Sequence, residues 1–177
     1  MRILLIDNND SFTYNLYHQI VRVVRSDASI ISYSCLNKNH IVKYDCFIIS
    51  AGPGTPDEYD RYDVVLESGK PVFGVCLGMQ IINRYYGGEV SELKDARHGV
   101  TANLEMNGEV LDVAVYNSLY CSKVSDQLNV FLSSEKVPMG LIHRSKPIAG
   151  IQFHPESFMT KRGDDILQDV LGRIGII

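Results

Sequence analysis

The 177-residue chain contains no tryptophan, few prolines and no long apolar run, and it has only four cysteines. The cysteines are Cys35, Cys46, Cys76 and Cys121. Their spacing matches neither a zinc site nor a dithiol redox motif, so we expect free, reduced thiols and no metal. No apolar run approaches membrane-spanning length, and the N-terminus turns acidic at Asp7, so we expect neither a membrane span nor a signal peptide. These features favour a cytoplasmic location.

Charge of either sign is not in large excess. Lysine and arginine total 17 against 21 aspartates and glutamates, a formal net charge of −4. No basic run interleaved with aromatic residues occurs, which argues against binding to nucleic acid. A hydrophobic content of 45% and a charged content of 21% are ordinary for a globular protein. The length predicts one domain over residues 1–177.

A strand pattern and a helix pattern meet at Cys76. Pro71 to Val75 is a short apolar run typical of a buried strand. Gly74 and Gly78 bracket the cysteine, which is the spacing that a sharp strand–turn–helix elbow needs around a nucleophile. A helix N-terminus there would favour the thiolate. A free cysteine more often simply packs in the core, so the spacing alone leaves that alternative open. The helix pattern consists of Leu77, Gln80, Ile81, Ile82 and Tyr85.

A histidine and a glutamate near the C-terminus supply the partners that a nucleophilic cysteine requires. The run from Ile148 to Phe153 predicts a strand, and His154 and Glu156 follow it. In an extended chain residues two apart point to the same side, so the carboxylate is expected to reach the imidazole. A surface turn is the alternative for this segment by itself. Together with Cys76, the pair predicts a nucleophile, a base and an orienting group.

Strands and helices alternate through the first half of the chain. An unbroken apolar run from Ile3 to Ile6 is typical of a strand buried on both faces of a parallel sheet. We predict an α/β fold with a mostly parallel, doubly wound sheet flanked by helices. The predicted elements are strands at Ala28–Tyr33 and Asp45–Ser50, a helix capped by Asp10 or Ser11 that buries Phe12, Leu16, Ile20 and Val23 or Val24, and a short helix over Asp60–Ser68.

The loop after the third predicted strand is rich in glycine and proline. Gly52 and Gly54 lie in the segment Ser50–Pro56. Its glycines and prolines cannot continue a helix or a strand. Glycines there would let backbone N–H groups approach a ligand or an oxyanion. A plain turn is the alternative, but ligands of open α/β sheets bind beyond the carboxyl ends of the strands, where this loop falls.

The second half of the chain predicts a smaller antiparallel β-rich segment. Asn107-Gly108 predicts a type I′ hairpin turn between two strands. The chain then closes with a last strand and an amphipathic helix. The predicted ranges are strands at Val100–Met106, Glu109–Tyr116, Asn129–Glu135 and Met139–His143, the strand Ile148–Phe153, and a helix at Asp164–Arg173.

Taken together, these motifs resemble the class I glutamine amidotransferases. Within that family the chain is most similar to the small subunits of anthranilate synthase and aminodeoxychorismate synthase, and the likeness runs nearly end to end. The motifs are Gly74-Val-Cys-Leu-Gly-Met-Gln80, Gln152-Phe-His-Pro-Glu-Ser157, Asp7-Asn-Asn-Asp-Ser-Phe-Thr-Tyr-Asn-Leu16, Gly52-Pro-Gly-Thr-Pro56 and Tyr116-Asn-Ser-Leu119.

The resemblance implies a role for each matching residue. Cys76 would be the nucleophile, His154 the base and acid, and Glu156 its orienting partner. The backbone N–H of Leu77 and one from the Gly52-Pro-Gly54 loop would form the oxyanion hole. Glutamine would be held by Gly52, Gly54, Leu77, Gln80, Ser118 and Leu119.

The resemblance also implies a reaction and a partner. The chain would hydrolyse glutamine without a cofactor and deliver ammonia to a separate chorismate-binding synthase subunit. The subgroup usually has histidine where this chain has Met79 and Asn117, but neither position carries a catalytic role in the family. Two alternatives remain at this point, a free-standing hydrolase of γ-glutamyl or peptide bonds and a non-catalytic regulatory subunit.

Overall fold

A computed structural model describes the backbone of residues 1–177 and the side chains of residues 1–93 and 99–177. Short 3₁₀ turns span Tyr33–Cys35, Pro56–Glu58 and Asp60–Tyr62. The strands are β1 (Ile3–Asp7), β2 (Ala28–Ser32), β3 (Cys46–Ile49), β4 (Val72–Val75), β5 (Glu89–Met106), β6 (Glu109–Lys123), β7 (Leu128–Ser134), β8 (Val137–His143) and β9 (Ile148–Ile151). The helices are α1 (Thr13–Val24), α2 (Lys38–Lys43), α3 (Asp63–Leu66), α4 (Leu77–Tyr85) and α5 (Gly163–Arg173). Among the described residues, no helix is both long and apolar enough to cross a membrane.

Seven strands form one sheet in the order β2-β1-β3-β4-β9-β8-β7. The five strands from β2 to β9 are parallel, while β8 and β7 continue the sheet antiparallel. Strands β5 and β6 form a separate two-stranded antiparallel sheet. The prediction of a mostly parallel α/β sheet with a smaller antiparallel segment is therefore confirmed.

The sheet is covered on both faces, which explains why its strands are apolar without alternation. Ile3 and Leu5 of β1 lie in one core cluster with residues of α1 and α5. Leu4 and Ile6 lie in a second cluster with residues of α3 and α4. Successive side chains of a strand point to opposite faces, so a strand buried on both faces needs apolar residues at every position.

The β5–β6 hairpin extends further than its sequence pattern predicts. Its turn is as expected, since Asn107 and Gly108 both have positive φ, at 53° and 81°, as a type I′ turn requires. Strand β6, however, continues past the predicted end at Tyr116 to Lys123, with register shifts in its pairing to β5. The reason is tertiary, because the far end of the hairpin is anchored to α4.

Asn83 of α4 makes that anchor. Its side chain is fully buried, and its Nδ2 donates to the carbonyl oxygens of Glu89 in β5, at 3.3 Å, and Lys123 in β6, at 3.0 Å. Its Oδ1 accepts from the backbone N–H of Ser125 at 3.1 Å. One side chain thus satisfies backbone groups of both hairpin strands and of the segment that follows.

The start of α1 differs from its predicted cap. The helix begins at Thr13, and neither Asp10 nor Ser11 caps it. Asp10 instead accepts from the N–H of Phe12 at 2.8 Å, while Asp7 Oδ1 accepts from Thr13 Oγ1 at 2.7 Å. The aspartates therefore order the loop before the helix rather than its first turn, an alternative that short polar side chains commonly offer.

Other local elements also depart from their predictions. Helix α2 was not predicted, and the predicted helix Asp60–Ser68 is a 3₁₀ turn followed by the four-residue α3. The last parallel strand ends at Ile151 rather than Phe153. Short helices carry little periodicity, and their ends depend on the neighbours that they contact.

We predict that Asn83→Leu destabilises the fold by about 2–3 kcal/mol, because it leaves buried backbone groups of β5 and β6 without partners. Chemical denaturation of the variant and the wild type measures the difference. The matched control is Asn39→Leu, on the exposed side of α2, which is expected to change stability by no more than about 0.5 kcal/mol. Equal effects of the two substitutions would show that Asn83 does not anchor the hairpin.

Candidate active site

Cys76 occupies a strained turn between β4 and α4. Its φ of 52° and ψ of −104° lie in a region that residues other than glycine rarely adopt. Its backbone N–H donates to the carbonyl of Ile151 in β9 at 2.8 Å, which ties the turn to the neighbouring strand. This is the strand–turn–helix elbow that the sequence predicts.

The two glycines around the cysteine are required by close backbone contacts. A Cβ at Gly74 would lie 2.5 Å from the carbonyl carbon of Gly78. A Cβ at Gly78 would lie 2.4 Å from the carbonyl oxygen of Ile49 in β3. Helix α4 can start this close to the sheet only because both side chains are absent, and the turn raises Cys76 at the carboxyl end of β4.

His154 and Glu156 form a buried pair after β9. His154 Nδ1 lies 2.6 Å from Glu156 Oε1, and the two side chains are 3% and 1% exposed. The contact is as predicted, but its geometry is not, because Glu156 lies in a turn after Pro155 rather than in extended chain. The turn lets the carboxylate fold back onto the ring. The other oxygen, Glu156 Oε2, is buried and has no hydrogen-bond partner among the described side chains.

Aromatic rings and the hairpin hold the His154 imidazole in place. Phe12 and Tyr116 contact the ring edge-on, with centroid distances of 6.0 Å and 5.1 Å. The backbone N–H of His154 donates to the carbonyl of Ala114 in β6 at 3.0 Å, and Thr160 Oγ1 donates to the backbone carbonyl of His154 at 2.6 Å. Ring and backbone are both fixed, so the base has one orientation.

Opposing effects act on the pKa of His154. Burial alone lowers it, but hydrogen bonds and charge interactions with Cys76 and Glu156 outweigh burial and raise the pKa well above 6.5. These partners favour the protonated imidazole beside the cysteine sulfur. An adjacent imidazolium favours the thiolate form of a cysteine, which is the nucleophilic form.

A cavity of about 180 Å³ opens beside the sulfur. All six residues that the resemblance assigns to substrate binding line it, together with three residues without a predicted role. The predicted residues are Gly52, Gly54, Leu77, Gln80, Ser118 and Leu119, and the additional ones are Pro53, Tyr116 and Asn117. Ser118 and Leu119 reach it from within β6 rather than from a loop after the strand.

The glycine–proline loop (residues 50–56) is held rigidly against the first loop of the chain (residues 8–12). A Cβ at Gly52 would lie 2.6 Å from Asn8 Cβ, so glycine is required there. Asn8 Nδ2 donates to the Ser50 carbonyl at 2.9 Å, and its Oδ1 accepts from Tyr62 Oη at 2.6 Å. Tyr59 Oη donates to the Pro53 carbonyl at 2.9 Å. These bonds fix the backbone that faces Cys76 across the cavity.

Sequence reasoning missed two kinds of contributor to the site. Tyr116 and Asn117 belong to a motif that the sequence analysis singled out, but only the tertiary fold shows that they line the cavity. Gln152 belongs to the His154 motif, and its Nε2 lies 3.5 Å from Cys76 Sγ. Its position two residues before His154 was the available signal.

The other cysteines lie in environments unlike that of Cys76. Burial raises the pKa of Cys46 and of Cys121 to about 12, so both are thiols at neutral pH. Cys35 is exposed. Among the described side chains, no group of three or more histidine, cysteine or acidic residues is placed to hold a metal ion.

We predict that Glu156→Gln lowers the pKa of His154, because the variant loses the carboxylate that stabilises the imidazolium. NMR titration of the imidazole measures this directly. In the wild type, charged His154 contributes stability that is fully present below pH 6.5 and is lost as the pH rises through the raised pKa. The variant should lose that contribution at lower pH.

His143 provides an internal reference for this titration. Burial and the nearby Lys146 lower its pKa, so its titration should lie on the other side of 6.5 in both proteins. An unchanged His154 titration in Glu156→Gln would contradict the role assigned to the carboxylate. A change shared equally by His143 would indicate a general structural effect instead.

Comparison with known proteins places the chain in a family. Residues 4–173 match the glutamine amidotransferase class-I family. The chain is 32% identical over 189 residues to anthranilate synthase component 2 of Helicobacter pylori strain J99, which covers 97% of each chain. It is 35% identical over 182 residues to aminodeoxychorismate synthase of Streptomyces griseus, covering 94% of this chain but only 25% of that protein.

A solved structure shares the fold. A putative GMP synthase subunit from Thermoplasma acidophilum superposes with a TM-score of 0.84 at 23% identity, covering 99% of this chain and 94% of that one. The family match spans both halves of the site, from the Cys76 elbow to the His154–Glu156 pair. The chain belongs to the class I glutamine amidotransferases.

Proposed function

We propose that the chain is a glutaminase subunit that hydrolyses glutamine through Cys76, His154 and Glu156 and supplies ammonia to a separate synthase. The observation that carries the proposal is the buried His154–Glu156 pair, 2.6 Å apart, beside a cysteine held at a strained elbow. A base that is oriented by a carboxylate and placed beside a thiol is the arrangement that covalent catalysis requires. The whole chain, residues 1–177, would act as one domain in the cytoplasm.

The first half of the reaction forms a thioester. The Cys76 thiolate attacks the side-chain carbonyl carbon of glutamine, and the carbonyl oxygen takes up negative charge. His154 gives its proton to the leaving nitrogen as the C–N bond breaks, which releases ammonia and leaves a glutamyl thioester.

The second half of the reaction hydrolyses the thioester. Neutral His154 takes a proton from water, which attacks the thioester. Glutamate leaves and the thiolate–imidazolium pair is restored, with Glu156 stabilising the imidazolium in both halves.

The oxyanion would be stabilised by two backbone N–H groups. Leu77 is the first residue of α4, so its N–H has no acceptor within the helix and points from the positive end of the dipole. In the glycine–proline loop Pro53 has no N–H, which leaves Gly52 and Gly54 as the donors on the opposite side. Donors fixed before the reaction stabilise the developing charge without reorganisation.

Glutamine would occupy the cavity beside the sulfur. The cavity of about 180 Å³ suits one small amino acid rather than a peptide. Gly52, Gly54 and Leu77 present backbone polar groups near the reacting carbon. Gln80, Ser118 and Leu119 would hold the remainder of the substrate.

Ammonia would pass to a chorismate-binding synthase subunit. This part of the proposal rests on the likeness to anthranilate synthase component 2 and to a quarter of aminodeoxychorismate synthase. The likeness to both leaves the choice of product to the synthase.

We predict that Cys76→Ser abolishes glutamine-dependent synthesis while ammonia-dependent synthesis by the complex continues, because a serine hydroxyl is a far weaker nucleophile at neutral pH. Product formation by the complex with glutamine or with ammonium measures both. Cys35→Ser, at an exposed position, is the matched control and should retain both activities. Undiminished glutamine-dependent synthesis in Cys76→Ser would contradict the assignment of the nucleophile.

Contact with the synthase would regulate this site through the first loop. Asn8 lies in that loop, and its bonds to Ser50 and its close contact with Gly52 join the loop to the proposed oxyanion donors. A partner that docks at this edge of the sheet could therefore set the oxyanion hole. Loss of one such donor typically costs roughly 3 kcal/mol of transition-state stabilisation, so a small backbone shift could change the rate about a hundredfold.

We predict that the isolated chain hydrolyses glutamine slowly and that the synthase with chorismate raises kcat much more than it changes KM. A misplaced oxyanion donor weakens transition-state binding more than ground-state binding. Steady-state glutaminase kinetics with and without the partner test this. An isolated chain that already works at the complexed rate would contradict gating and favour a free-standing hydrolase.

A further inference from the structure

A chain of amide groups runs through the protein interior to the sulfur of Cys76. Gln80 Nε2 lies 3.1 Å from the carbonyl oxygen of Leu119 and 3.1 Å from Gln152 Oε1. Gln152 Nε2 lies 3.5 Å from Cys76 Sγ. Asn117 Nδ2 also donates to the Leu119 carbonyl, at 2.8 Å. The amides therefore connect the wall of the cavity to the nucleophile.

The direction of these hydrogen bonds is fixed by the backbone carbonyl at one end. The Leu119 carbonyl can only accept, so Gln80 must turn its NH₂ group toward it. The same NH₂ group faces Gln152, which must then present its oxygen to Gln80. The NH₂ group of Gln152 is consequently aimed at Cys76, and the sulfur is the acceptor.

Burial of Gln152 strengthens the effect of this orientation on the Cys76 sulfur. Its side chain is fully buried, and Gln80 is only 2% exposed, so water does not compete for these groups. With the amide reversed, the Gln152 oxygen would face the sulfur, and two NH₂ groups would oppose each other at Gln80. A hydrogen bond to a charged acceptor in a buried site is stronger than one between neutral groups.

We propose that Gln152 stabilises the Cys76 thiolate by donating its side-chain N–H to the sulfur, and that Gln80 and the Leu119 carbonyl hold it in the donating orientation. Gln152 is then a positioning residue for the nucleophile, distinct from the His154–Glu156 pair. This inference deepens the proposed glutaminase function and rests on it for its catalytic meaning. Gln80 then orients the Gln152 side chain in addition to contacting the substrate.

The experiment measures the reactivity of Cys76 as a function of pH in the full-length chain. Iodoacetamide, a small carboxamide electrophile, reacts with the thiolate, and peptide mass spectrometry separates Cys76 from exposed Cys35. Gln152→Met keeps the length of the side chain but removes the donor. We expect it to move the alkylation midpoint of Cys76 to higher pH by about one unit, with a roughly tenfold slower reaction below the midpoint.

Two further variants test the mechanism rather than the presence of the side chain. Gln152→Glu keeps the shape and replaces the donor by a carboxylate, so it should raise the midpoint at least as far, and it serves if Gln152→Met does not fold. Gln80→Glu removes the donor that orients Gln152 and should also raise the midpoint. Leu171→Ala is the control for general loosening, because Leu171 is a fully buried core residue of α5 whose side chain forms no hydrogen bond.

The outcomes separate clearly. A raised midpoint in the Gln152 and Gln80 variants, with an unchanged midpoint in Leu171→Ala, supports the proposal. An unchanged midpoint in both Gln152 variants overturns it, as does an equal rise in Leu171→Ala, which would indicate general loosening. The readout uses no glutamine, so a chain that fails to hydrolyse glutamine would refute the proposed function without affecting this test.

Discussion

The strained, positive-φ backbone of Cys76 is the constraint on which the site depends. It persists because helix α4 starts almost in contact with the sheet, where Gly78 lies against the carbonyl of Ile49 and Gly74 lies against Gly78. Parallel pairing then places the next component, since β4 and β9 run in register with Gly74 opposite Gly150. The chain leaving β9 therefore emerges beside the sulfur, and His154 lies on that segment. A single strained turn and one strand register account for the meeting of residues far apart in sequence.

Burial of charge is the second constraint, and the site meets it locally. A thiolate and an imidazolium removed from water are costly unless each has partners. The structure supplies Glu156 to His154 at 2.6 Å and an amide nitrogen of Gln152 to the sulfur at 3.5 Å. The sulfur and the imidazole are thereby each provided with a partner that does not come from solvent. The raised pKa of His154 is the measurable consequence of this arrangement.

The sequence analysis predicted the features that are determined by short stretches of sequence. The apolar run of β1, the glycines around Cys76 and the Asn107-Gly108 turn each carry a local physical requirement, and the structure has all three. It missed what depends on contacts between distant segments. The length of β6 follows from its anchorage by Asn83, and the amide of Gln152 acquires a direction only through Gln80. Residue type and spacing do not contain that information.

Strand β6 joins two parts of the site that would otherwise be independent. In the first half of the strand Ala114 pairs with His154, and in the second half Leu119 lines the cavity and accepts from Gln80. The same strand thus fixes the base and the carbonyl that sets the direction of the amide chain. Because β6 and β5 form a sheet of their own, a shift of the hairpin would move both contacts together. Base and nucleophile both follow strands of the parallel sheet, and β6 adds a second support to the base through Ala114 and to the cavity wall through Leu119.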